Sequence, residues 1–262
     1  MINLKELNFN LRIENRHKTV DAIEINQIWT SMSQLETFNF YIQNTIELRY
    51  LKVNFSSEDI RRKFTSIGYE HMGYFCTKNF ANITCHIFSL PFVFDILYII
   101  GSTFPSVVYL HVTCLNLRLL DTIILKEEFF LRIARCFPML ECFSLSNISS
   151  SLVDEMNVDD KQWNFPVEYP HLISLTLQYS PNVYVEQFLN DTKIRLPHLR
   201  ILTVDYDTLV IVTENFTKET TRNTCANVKK LCGGPFAVYS KDFYDYFPQL
   251  LCVSDFNVWT WC

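Results

Sequence analysis

The chain carries a recurring spacing of apolar positions that follows its prolines. Each copy has a large apolar residue, then a proline, then apolar residues two and five positions after the proline, and in four copies seven positions after it. Positions five and seven lie two residues apart, so on a β-strand they point to the same face. The spacing therefore predicts a short strand with one buried face in each copy. The copies begin at Phe104-Pro105, Phe137-Pro138, Tyr169-Pro170, Leu196-Pro197 and Phe247-Pro248.

Related spacing occurs without proline in other parts of the chain. Leu7 and Phe9 repeat as Phe38 and Phe40, and weaker copies lie near Ile83 and Leu231. Most intervals between copies have room for one strand and one helix. Helical periodicity supports this interpretation, because apolar residues recur every three to four positions in the intervals. We predict helices over Glu127 to Cys136, from Val185 through Leu189, and from Ser240 towards Phe247.

A strand that buries a single face must stack on its neighbours to form a core, as leucine-rich repeats do. We therefore predict an α/β fold: a leucine-rich-repeat-like solenoid, or horseshoe, with irregular strand-helix repeats and a mostly parallel sheet. We expect a single domain over residues 1–262, with the clearest repeats in 104–208. The alternative is an ordinary open α/β sheet, which has longer apolar strands and glycine-rich turns. With five glycines in 262 residues, the chain favours the solenoid.

Composition and charge exclude several classes of function. The formal net charge is −5 and no basic block occurs, so we expect no nucleic acid partner. Nine scattered cysteines without a C-x-x-C pair predict unpaired thiols in a reducing compartment. No apolar stretch follows Met1, and the uncharged segment Ile96 to Leu117 is interrupted by Pro105 and polar residues. We expect a soluble cytoplasmic or nuclear protein with no membrane contact.

No catalytic or metal-binding motif stands out in the sequence. His171 and His198 both follow the proline of their copy, and repetition alone explains their shared position. Asp205 and Asp207 form a D-x-D pair, but no pocket is indicated that would shift their pKa values apart. The chain has no nucleophile elbow, zincin or Walker motif. We therefore expect no enzyme activity, no cofactor and no metal.

The aligned copies resemble the leucine-rich-repeat tails of F-box proteins. The resemblance lies in Phe-Pro-x-Leu-x-x-Leu-x-Leu-like runs, such as Tyr169 through Leu177 and Leu196 through Val204. It covers essentially the whole chain and is more specific for the fold than for the function. In that family the F-box docks on the Skp adaptor of a cullin ubiquitin ligase, and the repeat tail holds the substrate. The resemblance implies a non-enzymatic substrate-recognition solenoid; the alternative is a free-standing scaffold without ligase attachment.

The F-box itself is not found in this chain. The spacing already begins near Leu4, and Ser89 through Leu97 echoes an F-box opening but lacks the acidic residue two positions after Pro91. We interpret this echo as a chance match. A Skp-type adaptor is therefore expected as a partner only where an F-box lies upstream of Met1.

In a repeat of this kind, positions four, six and eight project from the strand onto the concave face. These positions are mostly small and neutral, which suits hydrogen bonding to a protein target better than capture of phosphate. The alternative is that small side chains simply line the sheet. The predicted partner-binding residues on this face are Tyr109, His111, Ser144, Ser174, Thr176, Gln178, Thr203 and Asp205.

The segment from Ser149 to Glu168 departs most from the regular spacing. It combines acidic residues with aromatic ones, which predicts a rim loop that engages a basic partner. The alternative is a solvated insertion whose aromatic side chains pack back onto the scaffold. The candidate residues in this segment are Asp154, Glu155, Asp159, Asp160 and Trp163.

Overall fold

The computed structural model divides the chain into two compact units. Unit 1 comprises residues 1–94 and 100–111, and unit 2 comprises residues 95–99 and 112–262. Each unit is described by itself below. The residues that the structure describes are 5–16, 20, 22–32, 34–50, 62–66, 71–78, 81–119, 125–147, 163, 165–233 and 239–254.

Unit 1 contains a four-stranded sheet and a helix. Its elements are β1 (Glu6–Arg16), α1 (Ala22–Ser31), β2 (Thr37–Glu47), a 3-10 turn (Leu48–Tyr50), β3 (Met72–Lys78) and β4 (Asn82–Ser89). The strand order is β1-β2-β4-β3. Strands β1 and β2 are parallel, with Leu7 opposite Phe38 and Phe9 opposite Phe40, so a strand forms at each of the first two predicted positions. Strand β4 pairs antiparallel with both β2 and β3, so the predicted copy near Ile83 is wrong.

Both faces of strands β2 and β4 in this sheet are buried. On one face, α1 contributes Ala22 and Ile25 to a core with Phe38 and Phe40. On the other face, Phe88 packs edge-on against Phe92, and Tyr109 lies against both rings. Gly73 lies opposite Phe88 on β3, and a Cβ atom at Gly73 would stand 2.1 Å from the Phe88 ring. Glycine is therefore required at position 73 by this close approach.

Unit 2 contains a seven-stranded sheet, a two-stranded sheet and five helices within the described residues. The sheet strands are β5 (Ile96–Ile100, of which the last residue falls in unit 1), β6 (Cys114–Leu119), β7 (Cys142–Asn147), β9 (Ser174–Thr176), β11 (Ile201–Thr203), β12 (Lys230–Cys232) and β13 (Cys252–Ser254). The helices are α2 (Glu127–Cys136), α3 (Asn182–Leu189), α4 (Tyr206–Val212), α5 (Glu219–Ala226) and α6 (Lys241–Tyr246). Short strands β8 (Val167–Glu168) and β10 (Ile194–Arg195) pair with each other.

The seven strands lie in the order β13-β12-β11-β9-β7-β6-β5, and every pair from β6 to β13 is parallel. The fold is therefore mixed α/β with a mostly parallel sheet, as predicted. The predicted helices also form: α2 has the expected bounds, α3 covers Val185 to Leu189, and Ser240 caps α6 by accepting a hydrogen bond from the Phe243 amide.

The apolar-Pro pairs at Pro138, Pro170, Pro197 and Pro248 each form a β-turn just before a strand. In each turn, the amide of the residue two positions after the proline donates a hydrogen bond to the carbonyl of the residue just before the proline. The N···O distance is 3.3 Å from Leu140 to Phe137 and 3.1 Å from Leu250 to Phe247. The same bond joins Leu172 to Tyr169 and Leu199 to Leu196. Proline suits the second position of such a turn because its φ angle is already close to the required value.

A second hydrogen-bond pattern joins successive strands in unit 2. The amides of Ile173 and Ser174 both donate to the Glu141 carbonyl, at 2.8 and 3.0 Å. In the next copy, the Arg200 and Ile201 amides both donate to the Ile173 carbonyl, again at 2.8 and 3.0 Å. We call this arrangement the shared-carbonyl pair. Its other acceptors among the described residues of unit 2 are the carbonyls of Asp95, Thr113, Arg200 and Lys229, and the Lys5 carbonyl of unit 1 accepts the same pair of bonds from the Glu36 and Thr37 amides.

The parallel strands alternate between a buried and a half-buried face. Positions five and seven after the turn prolines are buried, which confirms the predicted strand face in three copies; these residues are Phe143, Leu145, Leu175, Leu177, Leu202 and Val204. Helices pack on this face, since the Phe188 ring of α3 lies 5.6 Å from Phe143 and 5.2 Å from Phe130 of α2. The core of unit 2 therefore lies between the sheet and these helices.

The structure also bears on the cysteines and on the uncharged segment. Cys76 and Cys85, which face each other on β3 and β4, form a disulfide, so the prediction of unpaired thiols is wrong for this pair. The uncharged segment Ile96 to Leu117 contains β5 and most of β6. Among the described residues, no helix has the length and apolar character needed to cross a membrane.

Replacement of Leu202 by alanine is expected to destabilise unit 2 by about 2–5 kcal/mol, because its fully buried side chain leaves a cavity between sheet and helices. Its neighbour Ile201 is half-buried on the opposite face, so Ile201→Ala is the matched control and should cost less than about 1.5 kcal/mol. Urea denaturation of both variants measures the difference. Equal losses would contradict the assignment of the two faces.

Candidate functional site

The half-buried face of the seven-stranded sheet aligns equivalent positions of successive copies into two rows. We call this surface the open face. The residues six positions after the turn prolines, together with their partners on the other strands, form a row of small polar side chains. In this row Ser144 lies opposite Thr176, and Thr176 lies opposite Thr203. The full row, in strand order, is Asn116, Ser144, Thr176, Thr203, Cys232 and Ser254, and the fourth-position row is Cys114, Cys142, Ser174, Ile201, Lys230 and Cys252.

Four of the predicted binding residues lie in these rows. Ser144, Ser174, Thr176 and Thr203 are all half-buried, with side chains on the face opposite to the leucine core. Their hydroxyl groups can donate and accept hydrogen bonds, and their small size leaves the backbone of the sheet accessible from this side. The structure therefore brings these four residues together as the sequence predicts.

Tyr109 and His111 are not on the open face, so their predicted placement is wrong. Strand β6 begins at Cys114, which shifts the strand of this copy five residues from the position counted from Pro105. The buried positions are consequently Leu115 and Leu117. Tyr109 is fully buried and packs on Phe92, and His111 is exposed in a turn before the strand. The pattern misled because Pro105 mimics the turn proline of the other copies.

Gln178 and Asp205 lie just past the ends of their strands. Gln178 is in the turn that follows β9. Asp205 is exposed and caps α4, because its carboxylate accepts a hydrogen bond of 3.0 Å from the Asp207 amide. Such a cap satisfies an otherwise unpaired amide at a helix start. The D-x-D pair, Asp205 and Asp207, is thus part of a helix start.

The acidic segment is described only in part. Asp154, Glu155, Asp159 and Asp160 lie outside the described residues. Trp163 is half-buried and its ring stacks on Phe130 at 6.0 Å, so it packs onto the scaffold, as the alternative interpretation predicts. Phe165 is 79% exposed.

A groove of about 620 Å³ lies beside Trp163 in unit 2, and no feature of the sequence indicated it. Its charged side chains are Glu168, Asp191 and Arg195, and Asn223 donates a hydrogen bond of 2.6 Å to Asp191. These residues come from β8, β10, α5 and the turn after α3. These residues are far apart in the sequence and follow no repeated spacing, so only the folded structure brings them together.

His86 is a second feature that sequence reasoning missed. It is fully buried on β4, stacked on Phe75 at 4.2 Å, and its Nδ1 lies 3.0 Å from the Tyr41 hydroxyl. Its Nε2 has no hydrogen-bond partner among the described residues. Burial lowers the pKa of His86 to about 3, so the ring is neutral at physiological pH. Because it is enclosed, this histidine cannot meet a ligand at the surface.

The two histidines that share a position in the sequence pattern lie at the surface. His171 and His198 are exposed in the turns before β9 and β11. Within the described parts of the chain, no group of three or more His, Cys, Asp or Glu side chains is arranged to hold a metal ion.

Comparison of the chain with protein-family models, with curated proteins and with solved structures gives no match. The class of the protein is therefore the one that its fold defines, a mixed α/β protein with a mostly parallel sheet.

Acidification tests the burial of His86. An unfolded histidine binds a proton near pH 6.5 whereas folded His86 does so near pH 3, so its contribution to stability is complete above pH 6.5 and falls as pH is lowered. The slope contributed by one proton is at most about 1.4 kcal/mol per pH unit. Urea denaturation between pH 7 and 5 should show that the unfolding free energy of His86→Gln falls less per pH unit than that of the parent chain. The exposed His198→Gln is the control and should keep the original slope; an unchanged slope in His86→Gln would contradict the burial.

Proposed function

We propose that this chain is a non-enzymatic protein-binding solenoid of the leucine-rich-repeat kind, which holds a peptide or protein target on its open face. The observation that carries the proposal is the in-register row of small polar side chains, Ser144, Thr176 and Thr203, across adjacent parallel strands. A row of this kind offers repeated hydrogen-bond donors and acceptors at the spacing of neighbouring strands, about 4.8 Å.

The chemistry of the open face favours a protein target over an anionic polymer. The basic side chains on this face of the described strands are Arg118 of β6 and Lys230 of β12, and three strands lie between β6 and β12 in the sheet. Recognition of nucleic acid depends on clustered Lys and Arg that neutralise several phosphates. Hydroxyl and amide groups with scattered charge are more typical of protein-protein interfaces.

Within this function, the sequence resemblance supports substrate recognition for an F-box-type ubiquitin ligase. In that role the solenoid would place its target beside a ubiquitin-charged enzyme and act by proximity. A free-standing scaffold is the second candidate. It is compatible with the conformation of Ser89 through Leu97, the echo of an F-box opening, because these residues belong to β4, a connection without regular secondary structure and β5.

Arginine substitutions test whether the open face binds the target. The double variant Ser174→Arg/Thr176→Arg places two long cations in the middle of the face, and we expect capture of target proteins from cell extract to fall at least about tenfold. Quantitative mass spectrometry of material bound to the purified chain measures the capture. Ile211→Arg is the matched control, since Ile211 is 61% exposed on α4, and it should bind as the parent chain does. Equal capture by all three proteins would refute the use of this face.

Association with ligase components separates the two candidate roles. If the chain recognises substrates for a ligase, the protein isolated from its own cells should bring down Skp and cullin subunits, and its targets should be ubiquitinated. If it is a scaffold, the same preparation should contain targets without these subunits. Either result is compatible with binding by the open face, so this experiment tests the role separately from the surface.

A further inference from the structure

Two cysteines on the open face lie directly opposite each other. Cys114 on β6 and Cys142 on β7 are paired in the parallel register, neither is in a disulfide, and both side chains are half-buried. Neighbouring parallel strands are about 4.8 Å apart, which falls within the Cα–Cα range of about 4.4–6.8 Å seen in disulfides. Two thiols at matched positions can therefore be joined with little backbone movement.

We propose that Cys114 and Cys142 form a dithiol site that reacts with low-molecular-weight disulfides such as oxidised glutathione and closes to a cross-strand disulfide. The proposal stands on the register of β6 and β7 and does not depend on the binding role of the open face. It adds a modification site to a surface whose other described members are hydroxyl, amide, aliphatic and basic groups and the two thiols of Cys232 and Cys252.

The order of the two chemical steps follows from the contact between the thiols. A hydrogen bond with Cys114, together with burial, raises the pKa of the Cys142 thiol above its ordinary range, so Cys142 is the protonated partner. We therefore assign Cys114 as the first nucleophile. Its thiolate attacks one sulfur of oxidised glutathione, the glutathione S–S bond breaks, and one glutathione thiolate leaves and takes up a proton.

In the second step Cys142 loses its proton to solvent and attacks the Cys114 sulfur. The mixed disulfide breaks, the Cys114–Cys142 bond forms, and the second glutathione leaves as a thiol. Overall, two protein thiols lose two electrons and two protons, and one oxidised glutathione becomes two reduced molecules.

The same face provides an internal control. Cys232 on β12 and Cys252 on β13 are also free and lie on neighbouring parallel strands. They are out of register, because Cys232 lies opposite Ser254 and Cys252 lies opposite Lys230. The Ser254 hydroxyl also donates a hydrogen bond of 3.2 Å to the Cys232 sulfur. Diagonal positions on neighbouring strands are about 7–8 Å apart, too far for a disulfide without backbone movement.

Peptide mapping of the full chain tests the proposal. The purified protein is incubated with oxidised glutathione, remaining thiols are alkylated, and disulfide-linked peptides are quantified by mass spectrometry. We expect at least about tenfold more Cys114–Cys142 link than Cys232–Cys252 link, because one pair alone is in register. In Cys142→Ser, glutathione should accumulate on Cys114, since the resolving thiol is gone.

Two outcomes would overturn the proposal. One is a Cys114–Cys142 link no more abundant than the Cys232–Cys252 link. The other is a Cys142→Ser variant in which Cys114 takes up no more glutathione than Cys252 does. A circular dichroism spectrum equal to that of the parent chain shows that the variant is folded, so that a negative result reports on the dithiol.

Discussion

The parallel sheet of unit 2 depends on the shared-carbonyl pair, in which two successive amides at the start of one strand donate to a single carbonyl of the strand before it. The acceptor recurs at the same position of each copy, from Asp95 to Lys229. This repetition fixes the register, and register decides which face of each strand is buried, because a slip of one residue would exchange the two faces. The turn before each strand positions these two amides, because it brings the chain back to the start of the preceding strand.

Both surfaces of the sheet follow from that register. Leu175 and Leu202 align on the buried side and pack against the helices, while Thr176 and Thr203 align on the other side. The aligned polar row is therefore a consequence of how the core is assembled, and the proposed binding surface extends as far as the repeated register does. The dithiol has the same origin, because Cys114 and Cys142 meet only when β6 and β7 are paired without a shift.

Much of unit 2 could be predicted from the sequence because the pattern is local. A proline turn, a buried pair two residues apart and an amphipathic helix are each contained in a short stretch, and those stretches are correct at Pro138, Pro170 and Pro197. The error at Pro105 has a local cause too: its copy has the right residue types, but β6 starts five residues later than they suggest.

The remaining features depend on partners distant in the chain. The antiparallel pairing of β4 with β2 and β3 in unit 1 is of this kind, because the apolar alternation of β4 is equally compatible with a parallel strand. The burial of His86 against Phe75 and Tyr41, the groove beside Trp163 and the pairing of Cys114 with Cys142 also require three-dimensional contacts. No spacing within one copy indicates them.

Amide hydrogen exchange tests the shared-carbonyl pair most directly. The account predicts that the amides of Arg200 and Ile201, which both donate to the Ile173 carbonyl, exchange far more slowly than the amide of His198 in the exposed turn just before them. Residue-resolved exchange measured by NMR gives the comparison within one short segment. Exchange of Arg200 and Ile201 at the rate of His198 would contradict the proposed stacking of the strands and, with it, the alignment of the open face.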